Sequence, residues 1–291
     1  MDDGPLFPEP HVVLPTSTHT HTMILLHGRG SNGEDFAQEI FEGLSISEQS
    51  LPQHFPGFKW IFPNAHESFS TIFQQNLFEW FDVYSLTNPS IEEELQIDGL
   101  RESVAFIQGL VDDEVRIFGP AAHDRIILGG ISQGCGVAIT ALLSGMCGIR
   151  AFVGFNGWMP LIGRVRKVIS EATLQLNVLQ RQRCEGLATA LRASLELNEE
   201  ATLHPPGDLL DDRPVEPESG HLHTLIHLSH TADDHVIDIA SGKEMRETLV
   251  DLGMCNVDWK EYETGGHWIT EPEGFEDLVE FLSEIVWVYE E

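Results

Sequence analysis

Seven short runs, "HVVLP", "HTMILLHG", "KWIFPNA", "DRIILGG", "RAFVGFNG", "HTLIHLSH" and "NVDWKEYE", punctuate this chain, and most are near-continuously apolar. A strand with one wet face alternates apolar and polar residues, whereas a run apolar throughout has both faces covered. Between the runs lie stretches with helical spacing. Residues 33–43 follow a Ser31/Asn32 cap, and residues 91–116 carry Leu95, Leu100, Val104, Ile107, Leu110 and Val111. "GVAITALLSG" follows Ser132, and residues 275–287 line up Phe275, Leu278, Val279, Leu282, Ile285 and Val286. Strands alternating with helices predict an α/β fold, a mostly parallel central sheet flanked by helices.

One segment interrupts this rhythm. Residues 163–198 read as one or two polar helices bearing Arg164, Arg166, Lys167, Arg181, Arg183 and Arg192, and the acidic, Pro-rich "NEEATLHPPGDLLDDRPVEPESG" follows. The acidic part has little to bury and is expected to be a mobile loop. The reading is a single domain over residues 1–291, with an insertion at 163–220 that could cap a site. The basic helices are expected to form a solvated face balancing local acid.

Composition narrows the partners. The 47 acidic and 16 basic residues leave a net charge of −31, a field that repels phosphate backbones and anionic lipid and excludes nucleic acid as a partner. No run approaches the length of a transmembrane segment, and "MDDGPLFPEP" lacks the basic and apolar regions of a signal peptide. Cys135, Cys147, Cys184 and Cys255 show no C-x-x-C spacing, which suggests free thiols in a cytoplasmic chain.

The chemistry concentrates in "IILGGISQGCG". A Gly-x-Ser-x-Gly string alone is weak, since about 0.1 chance matches are expected at ordinary Gly and Ser usage. Here Gly130-Ile131-Ser132-Gln133-Gly134 comes straight after a strand run and straight before a helical one. That is the setting of a nucleophile elbow, a strained turn that exposes a serine Oγ at a strand's carboxyl end. The scaffold orders such sites as serine, acid, histidine. Downstream, "LIHLSHTADDHVID" places Asp233 and Asp234 after a strand, and "YETGGHW" places His267 on a Gly-rich turn before the last helix. Either carboxylate could orient the imidazole. An oxyanion hole would take the backbone N–H of Gln133 and, from "ILLHGRGSNG", that of Arg29.

With these pieces in order, the chain resembles the acyl-protein thioesterase and carboxylesterase/phospholipase family of α/β-hydrolases. The resemblance rests on "LLHGRGSNGEDF", "FPNA", "EWFD", "GGISQGCGVAI", "NGWMPL", "TADDHV" and "GGHW", from about residue 23 to 284, with the insertion unmatched. It implies a catalytic Ser132 and His267. It also selects Asp233, because the family's acid lies three residues before a valine and Val236 stands there. The family usually has His-Gly ahead of the acid loop, where this chain has Ser229-His230. The resemblance further implies ester or thioester hydrolysis without metal or cofactor, on small esters, lipids or S-acylated proteins. It makes Trp80, Trp158 and Met159 walls of an acyl site.

Blander readings compete. His19 and His21, and His221, His223 and His227, have H-x-H spacing, but no carboxylate or cysteine cluster completes a metal site. Cys135 beside the elbow reads as a small buried residue at a helix start. Two other functions share the scaffold: an acyltransferase, and a receptor that has kept the pocket without the chemistry.

Overall fold

The structure, a computed structural model, describes residues 7–145, 149–174, 180–197 and 224–287. Its strands are β1 (His11–Val13), β2 (His21–Leu26), β3 (Phe58–Phe62), β4 (Glu67–Ser70), β5 (Gln75–Phe78), β6 (Ile126–Ile131), β7 (Ala151–Phe155), β8 (Leu225–Thr231) and β9 (Val257–Tyr262). Its helices are α1 (Gly33–Glu42), α2 (Leu51–His54), α3 (Gln96–Phe118), α4 (Gln133–Leu143), α5 (Ile162–Leu174), α6 (Gln180–Ser194), α7 (Ile239–Leu252) and α8 (Glu273–Trp287). Seven strands form one sheet in the order β1-β3-β2-β6-β7-β8-β9. Only β1 runs antiparallel, against β3. The seven apolar runs of the sequence are the seven strands of this sheet.

Strand periodicity divides the core into two layers. Ile24, Leu26, Leu128 and Phe152 face one side, packing with Leu100, Val104 and Ile107 of α3, much of α4, and Met245 and Leu249 of α7. Met23, Leu25, Ile127 and Val153 face the other, against Phe36 and Ile40 of α1 and Phe275, Leu278 and Leu282 of α8. Side chains alternate along a strand, so runs apolar at every position are what helices on both faces require.

Some elements differ from expectation. The helix expected at 91–116 begins later: Glu92 adopts φ 53°, a 3-10 turn follows at Glu93–Leu95, and α3 ends at Gly119 with φ 59°. The hairpin β4–β5 was not expected. Its apolar residues Phe69 and Phe78 point outward, so no buried pattern marks it. Helix α7 was also missed, although Asp238 caps it by accepting the Ala240 N–H at 2.8 Å.

The described part of the insertion is built into the flank of the fold. Leu187, Leu191 and Leu195 join the α3/α4 side of the core, and Arg192 donates to Ser144 O at 2.9 Å. Arg164 pairs with Glu93 and Glu94, and Arg166 with Glu244 and Glu247. The side chains of Arg181 and Arg183, and the acidic stretch from 198, lie outside the described residues. No helix among the described residues is long and apolar enough to cross a membrane.

The chain passes from β2 outward to β3 and later returns to β6 on the other side of β2. Ligands of open α/β sheets bind beyond the carboxyl ends of strands at such a reversal. The loops after β2 and β6 meet there.

Candidate active site

Ser132 links β6 to α4 with φ 56° and ψ −122°, a conformation costly for a non-glycine residue. The surrounding structure holds it. Its N–H donates to Phe155 O at the end of β7 (2.9 Å), and its carbonyl accepts from Gly136 N–H (3.2 Å). The flanking glycines let the elbow lie against β2: a Cβ on Gly134 would sit 2.4 Å from Leu26 O, and one on Gly130 2.7 Å from the same oxygen. The serine is 7% exposed, so only a closely fitted group can reach it.

The loop after β2 is fixed by a neutral histidine. His27 is fully buried. It donates from Nδ1 to Gly28 O at 2.7 Å and accepts the Ala65 N–H at Nε2, 3.1 Å away. A carbonyl only accepts and an amide only donates, so the tautomer is defined. Burial pushes its pKa down to about 4, with the bond to Gly28 O opposing. The turn brings Gly28 to the nucleophile, where an added Cβ would lie 3.5 Å from Ser132 Cβ. Gly30 N–H donates to Phe78 O and Ser31 N–H to Gly28 O, while the Arg29 N–H between them takes part in no hydrogen bond among the described residues. Gln133 opens α4, where a helix leaves backbone N–H groups without acceptors. The loop after β2 and the start of α4 thus each carry a backbone N–H with no backbone acceptor among the described residues.

Trp80 ties these donors into one frame. Its indole N–H donates to His27 O (2.9 Å) and its backbone N–H to Gln133 Oε1 (3.0 Å), while Gln133 Nε2 donates to Phe81 O (2.6 Å). Trp80 is fully buried. Its polar edge is spent on the two loops. Trp158 and Met159 do line a cavity, of about 300 Å³, with Pro89, Ile162, Ala240 and Glu244. Neither Ser132 nor His267 lines it.

The acid corrects an expectation. Asp234, not Asp233, meets the histidine, with its Oδ2 2.7 Å from His267 Nδ1. Asp233 accepts the Gly266 N–H at 2.8 Å, a bond that holds its carboxyl below the usual range. The backbone turns after β8, with Asp234 N–H on Thr231 O, and consecutive residues there point in different directions. Asp234 Oδ1 accepts the N–H groups of Val236 and Ile237 (2.8 and 3.0 Å). The three-residue offset thus holds from Asp234 to Ile237, another β-branched residue, and not from Asp233 to Val236. Burial would raise the Asp234 pKa, but hydrogen bonds from His230, His267 and Asn156 outweigh it and hold the carboxyl far below the ordinary range.

His267 donates from Nδ1 to the carboxylate, which in the neutral imidazole leaves the lone pair on Nε2. No hydrogen bond joins it to Ser132 Oγ in this state; such contacts often tighten only when substrate is bound. Asn156 connects the two halves. It follows Phe155 in chain, donates its backbone N–H to Ser229 O, and its side-chain amide lies 3.0 Å from both Asp234 Oδ2 and Gly266 O. Sequence reasoning passed over Asn156, although an amide immediately beyond a central strand was a visible signal.

Beside the loop after β2 lies an unanticipated buried pair. Arg29 Nη1 is 4.0 Å from Glu79 Oε2, and its guanidinium covers the Phe73 ring at 4.8 Å. Burial, together with the nearby Asp82 charge, pushes Glu79 up to about 7. Cys135 is buried, and burial raises its thiol to about 12, which makes it inert packing. Among the described residues no cluster of His, Cys, Asp or Glu is arranged to hold a metal. His227 instead meets Asp258 at 3.0 Å.

Known proteins share this arrangement of chain. Acyl-protein thioesterase 1 of Schizosaccharomyces pombe is 30% identical over 169 residues, 58% of this chain and 69% of that protein. Acyl-protein thioesterase 1 of Yarrowia lipolytica is 26% identical over 279 residues, 95% and 96% of the two chains. The crystal structure of Zea mays acyl-protein thioesterase 2 superposes with a TM-score of 0.63 at 24% identity, covering 96% of this chain and 99% of that one, a likeness of fold. The sequence pattern of the phospholipase/carboxylesterase family matches residues 8–183, from β1 through the elbow into α6. On that match the chain belongs to the phospholipase/carboxylesterase family, and it is an ester/thioester hydrolase with the α/β-hydrolase fold.

Proposed function

We propose that the chain cleaves carboxylic esters or thioesters through an acyl-enzyme on Ser132. His267 Nε2 takes the hydroxyl proton as Oγ adds to the carbonyl carbon, and the imidazolium that forms is stabilised by Asp234. The oxyanion lies against the N–H groups of Arg29 and Gln133. His267 returns the proton to the departing alcohol or thiol, and water, deprotonated by the same imidazole, releases the acid and frees Ser132. The observation that carries this reading is the strained Ser132 elbow with Asp234 bonded to His267 Nδ1 across the neighbouring strand ends.

The cavity beside Trp158 and Met159 is the proposed place for part of the acyl chain. S-acylated protein is the proposed physiological substrate, on the names of the thioesterase relatives. The cytoplasm is the proposed compartment, in keeping with the unpaired thiols of Cys135 and Cys255.

The test is hydrolysis of p-nitrophenyl esters of graded chain length, with labelling by an alkyl phosphonate, on wild type and Ser132→Ala. Turnover and labelling in wild type alone support the reading. Equal labelling of both proteins, or an active Ser132→Ala, would overturn it.

A further inference from the structure

The acid of the site is gripped from behind by a second imidazole. His230, near the carboxyl end of β8, is 1% exposed. Its Nε2 lies 3.0 Å from Ile237 O and 3.4 Å from Asp234 Oδ2. A carbonyl can only accept, so Nε2 carries a proton. That N–H is spent on the Ile237 carbonyl, and the carboxylate oxygen lies beside it at 3.4 Å.

The ring has little freedom to turn. Its Nδ1 is buried without a hydrogen-bond partner and faces α7 at Gly242, where an added Cβ would come within 2.6 Å. The Trp259 ring of β9 lies 6.4 Å away, centroid to centroid. The titratable groups within reach are Asp234 itself, His267 across the carboxylate, and Glu261 on β9, which is engaged by Lys243. From β7 comes the neutral amide of Asn156.

His230 therefore meets the acid turn at two points. It lies against the carboxylate oxygen that serves His267, at 3.4 Å. It also binds the carbonyl of Ile237, the residue whose N–H holds the other carboxylate oxygen. We propose that His230 is a positioning residue for the reaction, locking the 234–237 turn so that Asp234 Oδ2 stays aligned with His267 Nδ1. This rests on the Ser132–His267–Asp234 reading. His230 touches neither Ser132 nor the reacting carbonyl; it acts through Asp234. The histidine that seemed only to replace a family pattern in the sequence has a defined contact in the fold.

Two substitutions separate positioning from packing. His230→Gln keeps an N–H donor near the place of Nε2, and His230→Met keeps similar bulk without a donor. Both are compared with wild type for p-nitrophenyl ester turnover and thermal unfolding, with Ser132→Ala as the blank. The Met variant is expected to lose kcat by 10- to 100-fold, on the order caused by small misplacements of reacting groups, with KM within about twofold. The Gln variant is expected to recover to within roughly threefold of wild type, because a donor to the Ile237 carbonyl is retained.

A folded Met variant with wild-type kcat would overturn the proposal, as would a folded Gln variant as slow as Met. If both variants failed to fold, His230 would be a fold element and the positioning role would be wrong. If only Met failed, the Gln result would decide. An active Ser132→Ala would strike the underlying function instead, whatever His230 does.

Discussion

Asp234 Oδ2 lies 2.7 Å from His267 Nδ1, while the adjacent Asp233 takes the Gly266 N–H at 2.8 Å. One carboxylate holds the imidazole, and its neighbour steadies the loop that carries the imidazole. The two should separate cleanly by mutation. Asp234→Asn is expected to lower kcat by roughly 10³- to 10⁴-fold, since the amide permits the wrong tautomer. Asp233→Asn is expected to stay within about fivefold of wild type, as a loop hydrogen bond contributes little to the reacting groups. Steady-state kinetics on one ester would check both, and the reverse ranking would return the acid role to Asp233.

Gln133 joins its own backbone, a proposed oxyanion donor, to Trp80 and Phe81 through its side chain. Gln133→Met would leave the Trp80 N–H and Phe81 O buried without partners, at a cost of about 2–4 kcal/mol for the two groups. Denaturant unfolding should show that loss. The kcat should fall more than KM changes, because the displaced donor serves the transition state. A variant as stable and as fast as wild type would show that the frame around Trp80 is dispensable.

Glu79 is pushed from an ordinary 4.5 up to about 7 in the fold. Between those values the folded chain binds a proton that the unfolded chain has released. Its contribution to stability is therefore present at low pH and is lost as pH rises through 7. Relative to wild type, Glu79→Gln should gain melting temperature on going from pH 5 to pH 8. A relative loss over the same interval would mean that the ionised pair with Arg29 outweighs desolvation.

His27 behaves in the opposite sense. Its pKa is depressed from 6.5 to about 4 by burial, so the unfolded chain takes up the proton first as the solution is acidified. Its stabilisation is present above pH 6.5 and drains away down to about pH 4, by about 3 kcal/mol at 1.36 kcal/mol per unit. Unfolding free energies across this window should be flatter for His27→Gln than for wild type. An unchanged slope would place the acid sensitivity elsewhere.

Met159 and Trp158 border the cavity of about 300 Å³. Met159→Trp would fill part of it and is expected to shift preference toward shorter acyl chains. The KM for long p-nitrophenyl esters should rise on the order of tenfold, because excluding even one or two methylenes costs about 1–2 kcal/mol. An unchanged chain-length profile would remove this cavity from the acyl path.

The seven strands of the central sheet, its two-sided burial, and the elbow at Ser132 were legible in order along the chain, because each depends on local pattern. Strands buried on both faces must be apolar at every position, and an elbow needs glycines around a serine between a strand and a helix. His267 was legible for the same reason, standing alone on a Gly-rich turn after β9.

Contacts between loops were not legible, because they depend on where side chains point after strands far apart in the chain come side by side. Two consecutive aspartates look alike in sequence, and only the turn after β8 aims Asp234 at His267 and Asp233 away from it. The hydrogen bonds by which Trp80 joins the β2 loop to α4 had no sign in the sequence. His230 and Asn156 stood in view in the sequence without an assignable partner. They acquire a role because β7 and β8 lie side by side in register, which brings an amide and an imidazole to one carboxylate. Local chemistry is written in the chain; the hydrogen bonds that orient it depend on neighbours that only the folded sheet supplies.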